Sequence, residues 1–118
     1  MANAEQKRWL ERVAQYAQDH GGFPHQSGEA VELHHVVGRK GKHNKVEIGE
    51  WFVIPVEFQY HNVSSNNPFN VTHWRKRYML EFGNQRDQFA AMCAVITNEG
   101  YPLPFGKDVY NAIMDTKY

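Results

Sequence analysis

The sequence predicts a small α+β domain in which a strand, a long polar loop, a second strand and a helix form one unit of a mostly helical chain. Three observations predict it: an amphipathic first segment, two short apolar runs around a glycine-rich basic loop, and helical periodicity in the last third. The strands and the helix after them occupy about residues 29–82, and a helical part follows over residues 84–118. With 118 residues, 42% of them hydrophobic, the chain has the size and composition of one globular domain.

The first helix and the first strand are separated by a glycine stop. Trp9 and Val13 belong to apolar positions that recur at helical spacing over residues 4–19, and Gly21 follows as a terminator. Residues 30–37 are rich in β-branched side chains and partly alternate between apolar and polar, which is typical of a strand. We therefore expect an amphipathic helix followed by a strand.

A polar loop and a second strand come next. Residues 38–49 contain three glycines and four basic residues, which predicts an ordered loop on the surface. The apolar run over residues 51–54 predicts a second strand that ends at Pro55, and the proline can then open a short helix that reaches His61. Residues 62–70 are dense in turn formers and are expected to form a loop.

Three helices are predicted for the last part of the chain. Thr72 can cap a helix that ends at Phe82, and Asn84 can cap another over residues 85–98. A short helix follows over residues 108–116. Trp74 is expected to pack in the core, together with the inner face of the middle helix, which is formed by Phe89, Met92, Cys93 and Ile96.

Four histidines lie around the predicted strands and the helix after them. His34 and His35 close the first strand, His61 lies 26 residues beyond His35, and His73 follows 12 residues later. A loop, a second strand and a helix occupy that interval. This is the layout of a ββα-metal (His-Me) finger, in which the first strand and the helix present ligands to one cation beside the scissile phosphate. The pattern favours a single-metal nuclease site.

Imidazole side chains suit the hydrolysis of a phosphodiester bond. A histidine with an unperturbed pKa of ~6.5 can accept a proton from water near neutral pH. A divalent cation stabilises the charge that develops on the phosphate oxygens and on the leaving 3′-oxygen. Neutral imidazole nitrogens can hold such an ion and leave coordination positions for water and phosphate.

Two considerations weigh against this interpretation. Adjacent residues on a regular strand point to opposite faces, so His34 and His35 can serve one site only if the strand ends or bulges there. A single histidine is also more often a surface or hydrogen-bonded structural residue than a ligand. That structural role is assigned to His20, His25 and His43.

Several short motifs carry a resemblance to a known family. They begin with R-W-L-E-R-V-A at residues 8–14 and continue with A-V-E-L-H-H-V at residues 30–36, I-P-V at residues 54–56 and Y-M-L-E-F-G at residues 78–83. These motifs resemble the Ref family of phage recombination-enhancement nucleases, which are RecA-dependent HNH enzymes with A-E-I-H-H-I and I-P-L at the corresponding places. About 75 to 80 of the 118 residues are covered.

The resemblance implies a role for each of the four histidines. His35 is implied as the general base, and His34 and His61 as metal ligands. His73 matches a later histidine of the family and is expected to be a further ligand. One divalent metal ion is therefore expected, and a nitrogen-rich ligand set favours Zn²⁺, Ni²⁺ or Mn²⁺ over Mg²⁺.

The chain departs from the family pattern in two places. Family members carry C-x-x-C and C-x-x-H pairs suited to a structural zinc, and none of these ligands is present, so no structural zinc is expected. The central asparagine of the HNH pattern falls at about Glu50, and Asn44 is the nearest asparagine, so both are candidate loop organisers. The positions of the four missing zinc ligands correspond to Gln18, Gly21, Glu57 and Tyr60.

Basic residues flank the expected site, although 13 basic and 13 acidic side chains leave the chain with no net charge. Such groups could neutralise phosphates on either side of a cut and give salt-dependent binding without sequence readout. A solvated loop and an exposed helix face are the alternative explanations. The candidate DNA-binding residues are Arg39, Lys40, Lys42 and Lys45 in the loop and Arg75, Lys76 and Arg77 after His73.

The leading hypothesis is a metal-dependent DNA endonuclease or nickase that acts on recombination or replication DNA. The resemblance implies a phage origin and a RecA-type recombinase filament as a partner. A non-catalytic DNA- or protein-binding module and a small interaction protein with structural histidines are the alternatives. A single cysteine permits no internal disulfide, and the sequence carries neither a signal pattern nor an apolar run of about 20 residues. We therefore expect a cytoplasmic protein with no membrane partner, located in the host cytoplasm if phage-encoded.

Overall fold

The computed structural model describes residues 2–118, and over that range the chain forms an α+β domain with five helices and four short strands. Strands β1 and β4 pair with each other, and β2 pairs with β3. The predicted fold class is confirmed at this level. In chain order the elements are α1 Ala4–His20, β1 Val31–His35, β2 Lys42–His43, β3 Val46–Glu47, β4 Val53–Glu57, α2 Phe58–His61, α3 Arg75–Phe82, α4 Gln85–Asn98 and α5 Lys107–Met114.

Helix α1 begins and ends where local chemistry favours it. The Asn3 side chain accepts a hydrogen bond from the Gln6 N–H at 2.9 Å, and the Gln6 side chain accepts one from the Asn3 N–H at 2.9 Å, which is a capping box. At the other end Gly21 has a φ of 81°, a backbone conformation that favours glycine. The helix buries Trp9 and Val13, as the periodicity predicts.

The central sheet pairs β1 with β4, and the position of Pro55 in it corrects a prediction. Pro55 was expected to end the second strand, but it pairs with Leu33 inside β4. The Pro55 carbonyl accepts a hydrogen bond from Phe23, so the edge of Pro55 that lacks an N–H faces away from β1. The proline therefore removes no hydrogen bond from the β1–β4 ladder.

The basic segment over residues 38–49 is more regular than a plain loop. It contains the two-residue strands β2 and β3, which are joined by Asn44 and Lys45 with φ angles of 50° and 66°. Two successive residues with positive φ form the tight turn that matches the twist of a hairpin. The sequence predicted only a loop because neither strand is long enough to show a pattern.

Three predictions for residues 55–82 were wrong in detail. Helix α2 covers only Phe58–His61, because the residues before it belong to β4. Helix α3 begins at Arg75 rather than after Thr72, whose hydroxyl donates to the His61 carbonyl instead of capping the helix. Trp74 is 48% exposed and does not lie in the core.

Helices α1 and α4 pack on β4, all five residues of which are buried. The predicted inner face of α4 is confirmed, since Phe89, Met92, Cys93 and Ile96 are at most 2% exposed. The Trp9 and Phe89 rings meet edge to face with centroids 6.4 Å apart. The core therefore lies between these helices and β4, and the functional residues of β1 lie outside it.

Among the helices of residues 2–118, none has the length and apolar character needed to span a bilayer.

Candidate functional site

The strand β1 and the short helix α2 bring two of the predicted ligands together. Side chains alternate along a strand, so Glu32 and His34 share one face of β1. Helix α2 follows β4 directly and places His61 beside that face. The ring centroids of His34 and His61 lie 4.7 Å apart.

Glu32 fixes the orientation of His61. The Nδ1 of His61 donates to Oε1 of Glu32 at 2.6 Å, and Nδ2 of Asn62 donates to Oε2 of the same carboxylate at 2.8 Å. The hydrogen bond from Asn62, with a further one from His61, lowers the pKa of Glu32 although partial burial opposes it. With the Nδ1 proton held by a carboxylate, Nε2 is the His61 nitrogen that keeps a free lone pair.

Burial keeps the His34 ring neutral. Desolvation is the largest cause that lowers the pKa of His34 to about 4, and repulsion from nearby His61 lowers it further, while the Gln85 side chain opposes both. At neutral pH the ring therefore carries a lone pair that can bind a cation.

The two rings open into a cavity of about 540 Å³, which we call the histidine cleft. Gln85 lies in its wall and is 1% exposed. Neither its Nε2 nor its Oε1 has the geometry of a hydrogen bond to any described residue. The guanidinium of Arg75 lies 4.5 Å from the centroid of the Tyr118 ring. The cleft is lined by His34, Val36, Val37, His61, Val71, Thr72, Arg75, Gln85 and Tyr118.

His35 lies on the other face of β1. The strand ends at His35, but its register is regular there, with His34 opposite Ile54 and His35 opposite Val53. Nε2 of His35 is buried and meets no hydrogen-bond partner within residues 2–118. Burial and the charge of Arg39 lower the pKa of His35, while the nearby carboxylate of Glu50 opposes them. His35 therefore lies within electrostatic range of Glu50 and on the face of β1 opposite to His34.

His73 lies apart from the His34–His61 pair. Its side chain is exposed, and its Nε2 is hydrogen bonded to the Val63 carbonyl at 2.8 Å. Across residues 2–118, no group of three or more His, Cys, Asp or Glu side chains is placed to hold a metal ion. His34 and His61 are the two imidazoles that share the histidine cleft.

The remaining histidines each contact a carboxylate outside the cleft, which agrees with the structural role expected for them. His20 lies 3.1 Å from Glu99, and His43 lies 2.9 Å from Asp115. His25 lies 3.3 Å from Glu57, measured from Nδ1 to Oε2.

The predicted DNA-binding residues separate into two groups. The four cations of the basic loop line a second cavity of about 940 Å³, where Arg39 lies 3.9 Å from Glu50. On α3, Arg75 lines the histidine cleft, Lys76 is exposed, and the guanidinium of Arg77 lies 4.5 Å from the centroid of a Trp74 ring. The loop cations are Arg39, Lys40, Lys42 and Lys45.

Asn44 and Glu50, the two candidate loop organisers, have different surroundings. Asn44 lies in the β2–β3 turn, where its Nδ2 donates to Asp115 at 3.1 Å. Glu50 is within electrostatic range of His35 and keeps one buried oxygen without a hydrogen bond from residues 2–118. Glu50 is therefore the one placed to influence His35.

Sequence reasoning missed three residues of the site. The signal for Glu32 was present, because it lies two positions before His34 and must share its face on a strand. Asn62 directly follows His61 and could have been considered with it. Gln85 carries no comparable signal, since only the tertiary fold brings the start of α4 beside β1.

No protein-family model, no curated protein and no solved structure is similar enough to this chain to be matched to it.

Proposed function

We propose that this protein is a metal-dependent DNA endonuclease or nickase that hydrolyses phosphodiester bonds, with a ββα-metal site of the Ref-like type. The observation that carries the proposal is the contact between the His34 and His61 rings in an open cleft, with His61 held by Glu32. Two imidazoles at this separation can bind one cation through their unprotonated nitrogens. The basic residues of α3 and of the loop offer further contacts for a polyanion.

The residues present have distinct roles in the proposed reaction. His34 and His61 would hold one divalent ion, with Zn²⁺, Ni²⁺ or Mn²⁺ favoured over Mg²⁺ by the nitrogen ligands. When bound, such an ion stabilises the negative charge that develops on the phosphate and the leaving oxygen. Glu32 orients His61 and keeps its proton on Nδ1.

His35 is the proposed general base. Its lowered pKa keeps the ring neutral near pH 7, so a ring nitrogen can accept a proton from the attacking water. Nε2 is buried and has no hydrogen-bond partner among the described residues, so the proposed role requires the attacking water to enter beside His35 when DNA binds. Glu50 would stabilise the imidazolium that forms.

The biological setting of the proposal rests on the resemblance to the Ref family. It comprises a phage-encoded enzyme in the host cytoplasm, recombination or replication DNA as the substrate, and a RecA-type filament as the partner. His73 stays a candidate for a further metal ligand, and its hydrogen bond to the Val63 carbonyl would have to break for it to bind the ion.

Plasmid cleavage tests the proposal. Supercoiled DNA is incubated with EDTA-treated protein and then with Mg²⁺, Mn²⁺, Ni²⁺ or Zn²⁺, and nicked and linear products are measured. We expect cleavage with at least one metal and a loss of at least about 100-fold in His35→Ala and His61→Ala, as for other general bases and metal ligands. His20→Ala, a histidine variant outside the cleft, is the control and should cleave like the wild type. Absence of cleavage with every metal, or equal cleavage by all variants, would refute the proposal.

One observation favours a second candidate, a non-catalytic DNA-binding module. His34 and His35 lie on opposite faces of a regular strand, so the base and the metal ligand do not share one face. A module of this kind would retard DNA in a gel at low salt and leave it uncut with all four metals. DNA retardation without cleavage therefore selects this candidate over the nuclease.

A further inference from the structure

We propose that Gln85 and Arg75 form an oxyanion site in the histidine cleft that binds a phosphate group of the DNA backbone. The inference rests on the proposed function and deepens it, because it names the part of the substrate that the cleft holds. Neither the sequence motifs nor the histidine pattern assigns a role to Gln85.

Gln85 is the first observation that points to a ligand. The side chain is 1% exposed. It lies close enough to His34 to raise the pKa of that ring, but neither polar atom of its amide meets the geometry of a hydrogen bond to a described residue. Burying an amide without partners costs free energy, and folded proteins seldom retain such a group without a use for it. Because Gln85 lines a cavity, its amide can donate to a group that enters from solvent.

Arg75 is the second observation. Its guanidinium lines the same cavity and is held over the Tyr118 ring at 4.5 Å, while no carboxylate of residues 2–118 forms an ion pair with it. The Gln85 N–H donates to the Tyr118 carbonyl, so Tyr118 positions both residues at one wall. A guanidinium and an amide on the same wall present several N–H donors to one anion.

The positions of the two residues on their helices strengthen this site. Arg75 is the first residue of α3, and Gln85 is the first residue of α4. The positive ends of two helix dipoles therefore lie at the cleft. A phosphate group bound there would lie beside His34 and His61, where the proposed cleavage takes place.

The first test replaces Gln85 with methionine, which keeps the length of the side chain and removes the amide. If Gln85 is a ligand-binding residue, Gln85→Met should unfold at the same or a higher temperature, because an unpaired buried polar group is lost. Its affinity for a short fluorescein-labelled single-stranded DNA, measured by anisotropy in EDTA, should fall about tenfold, as expected for one hydrogen bond to a charged group. A lower unfolding temperature would show that the amide is bonded within the protein and would overturn the proposal.

The second test compares Arg75→Gln with Arg77→Gln, two identical changes on one helix. Both variants lose the same unit of charge, but only Arg75 lines the cleft. We expect Arg75→Gln to weaken binding of the oligonucleotide in EDTA at least about fivefold more than Arg77→Gln, because an ordered contact with phosphate is lost in addition to net charge. Equal effects of the two substitutions would overturn the proposal.

These outcomes are independent of the cleavage test. If the oligonucleotide experiments fail while cleavage depends on His35 and His61, the nuclease proposal stands and the Gln85–Arg75 site is wrong. If the oligonucleotide experiments succeed while no metal supports cleavage, the cleft binds backbone phosphate without cutting it.

Discussion

Two regions of this molecule each hold a carboxylate beside a histidine, and they differ in how completely their buried polar groups are paired. The Glu57 cluster, formed by Glu57, His25 and Ser27, has a carboxylate that is 2% exposed and fully engaged. Its Oε2 accepts from the backbone N–H of His25 at 2.8 Å, and its Oε1 accepts from the Ser27 hydroxyl at 3.1 Å. Its partners are two polar groups of the segment that follows α1, so the cluster attaches that segment to β4.

In the histidine cleft, by contrast, a buried polar group is left without a hydrogen bond. Glu32, which holds His61 at the cleft, is 32% exposed, whereas the Gln85 amide that lines the cleft is buried and makes no hydrogen bond within residues 2–118. Buried polar groups that are fully paired stabilise a fold, and those left unpaired beside a cavity indicate a missing ligand. A carboxylate beside a histidine is therefore no guide to function until the hydrogen bonds around it are counted.

Removing the two carboxylates should give the largest difference between the regions. Glu57→Ala leaves the His25 N–H and the Ser27 hydroxyl without their acceptor, so we expect a loss of about 3 kcal/mol in the free energy of unfolding. Glu32→Ala, in a partly exposed pair, should cost less than about 1 kcal/mol. Urea unfolding of both variants measures this, and equal losses would contradict the distinction.

Acid should destabilise the protein through His34. The pKa of His34 is about 4 in the folded protein and returns to 6.5 on unfolding, so between these pH values the unfolded chain binds more protons. Stability therefore falls as the pH is lowered from 6.5 to 4, by at most about 3 kcal/mol, and this contribution is constant below pH 4. Glu32, whose pKa is lowered from 4.5, adds a further loss as the pH falls below about 4.5.

Urea unfolding in EDTA at several pH values measures this effect, with His34→Gln as the matched variant. In this variant the free energy of unfolding should change less between pH 6.5 and 4, while the loss of stability at lower pH should remain. Parallel profiles for wild type and variant would show that His34 is not the group responsible.

The smallest expected effect concerns metal affinity. Glu32→Gln removes the charge that holds the Nδ1 proton of His61, so binding of Zn²⁺ should weaken about tenfold, as for other residues that orient a ligand. The exposed residue Glu29 provides the control, since Glu29→Gln removes the same charge from the segment before β1. Calorimetric titration of both variants measures the difference. Equal Zn²⁺ affinities of the two variants would show that Glu32 does not orient His61 for metal binding.

Helices with a repeating pattern of apolar residues could be predicted from the sequence, but the environment of single residues could not. The pattern around Trp9 located α1, and the spacing from Phe89 to Ile96 located α4, because many residues contribute to each signal. Pro55 was misplaced because its tolerance in β4 depends on which edge of the strand faces β1. Trp74 was misplaced because its exposure depends on where α3 begins.

The candidate site was predictable in the same limited way. The spacing of His34 and His61 predicted that they meet, and their rings are 4.7 Å apart. Gln85 was missed because its proximity to His34 depends on how α4 packs against the sheet. The role of His35 depends on the course of β1 past its last residue, which a strand pattern does not specify.

The most direct test of the His34–His61 metal site is the response of individual imidazole nitrogens to a metal. Zn²⁺ or Mn²⁺ is added to EDTA-treated, ¹⁵N-labelled protein, and the ring signals of all seven histidines are followed by NMR. We expect one equivalent of Zn²⁺ to shift Nε2 of His61 and one ring nitrogen of His34 together, and Mn²⁺ to broaden the same signals, while His25 at the Glu57 cluster is unaffected. Unchanged signals for His34 and His61, or a response confined to His20, His25 and His43, would contradict the account.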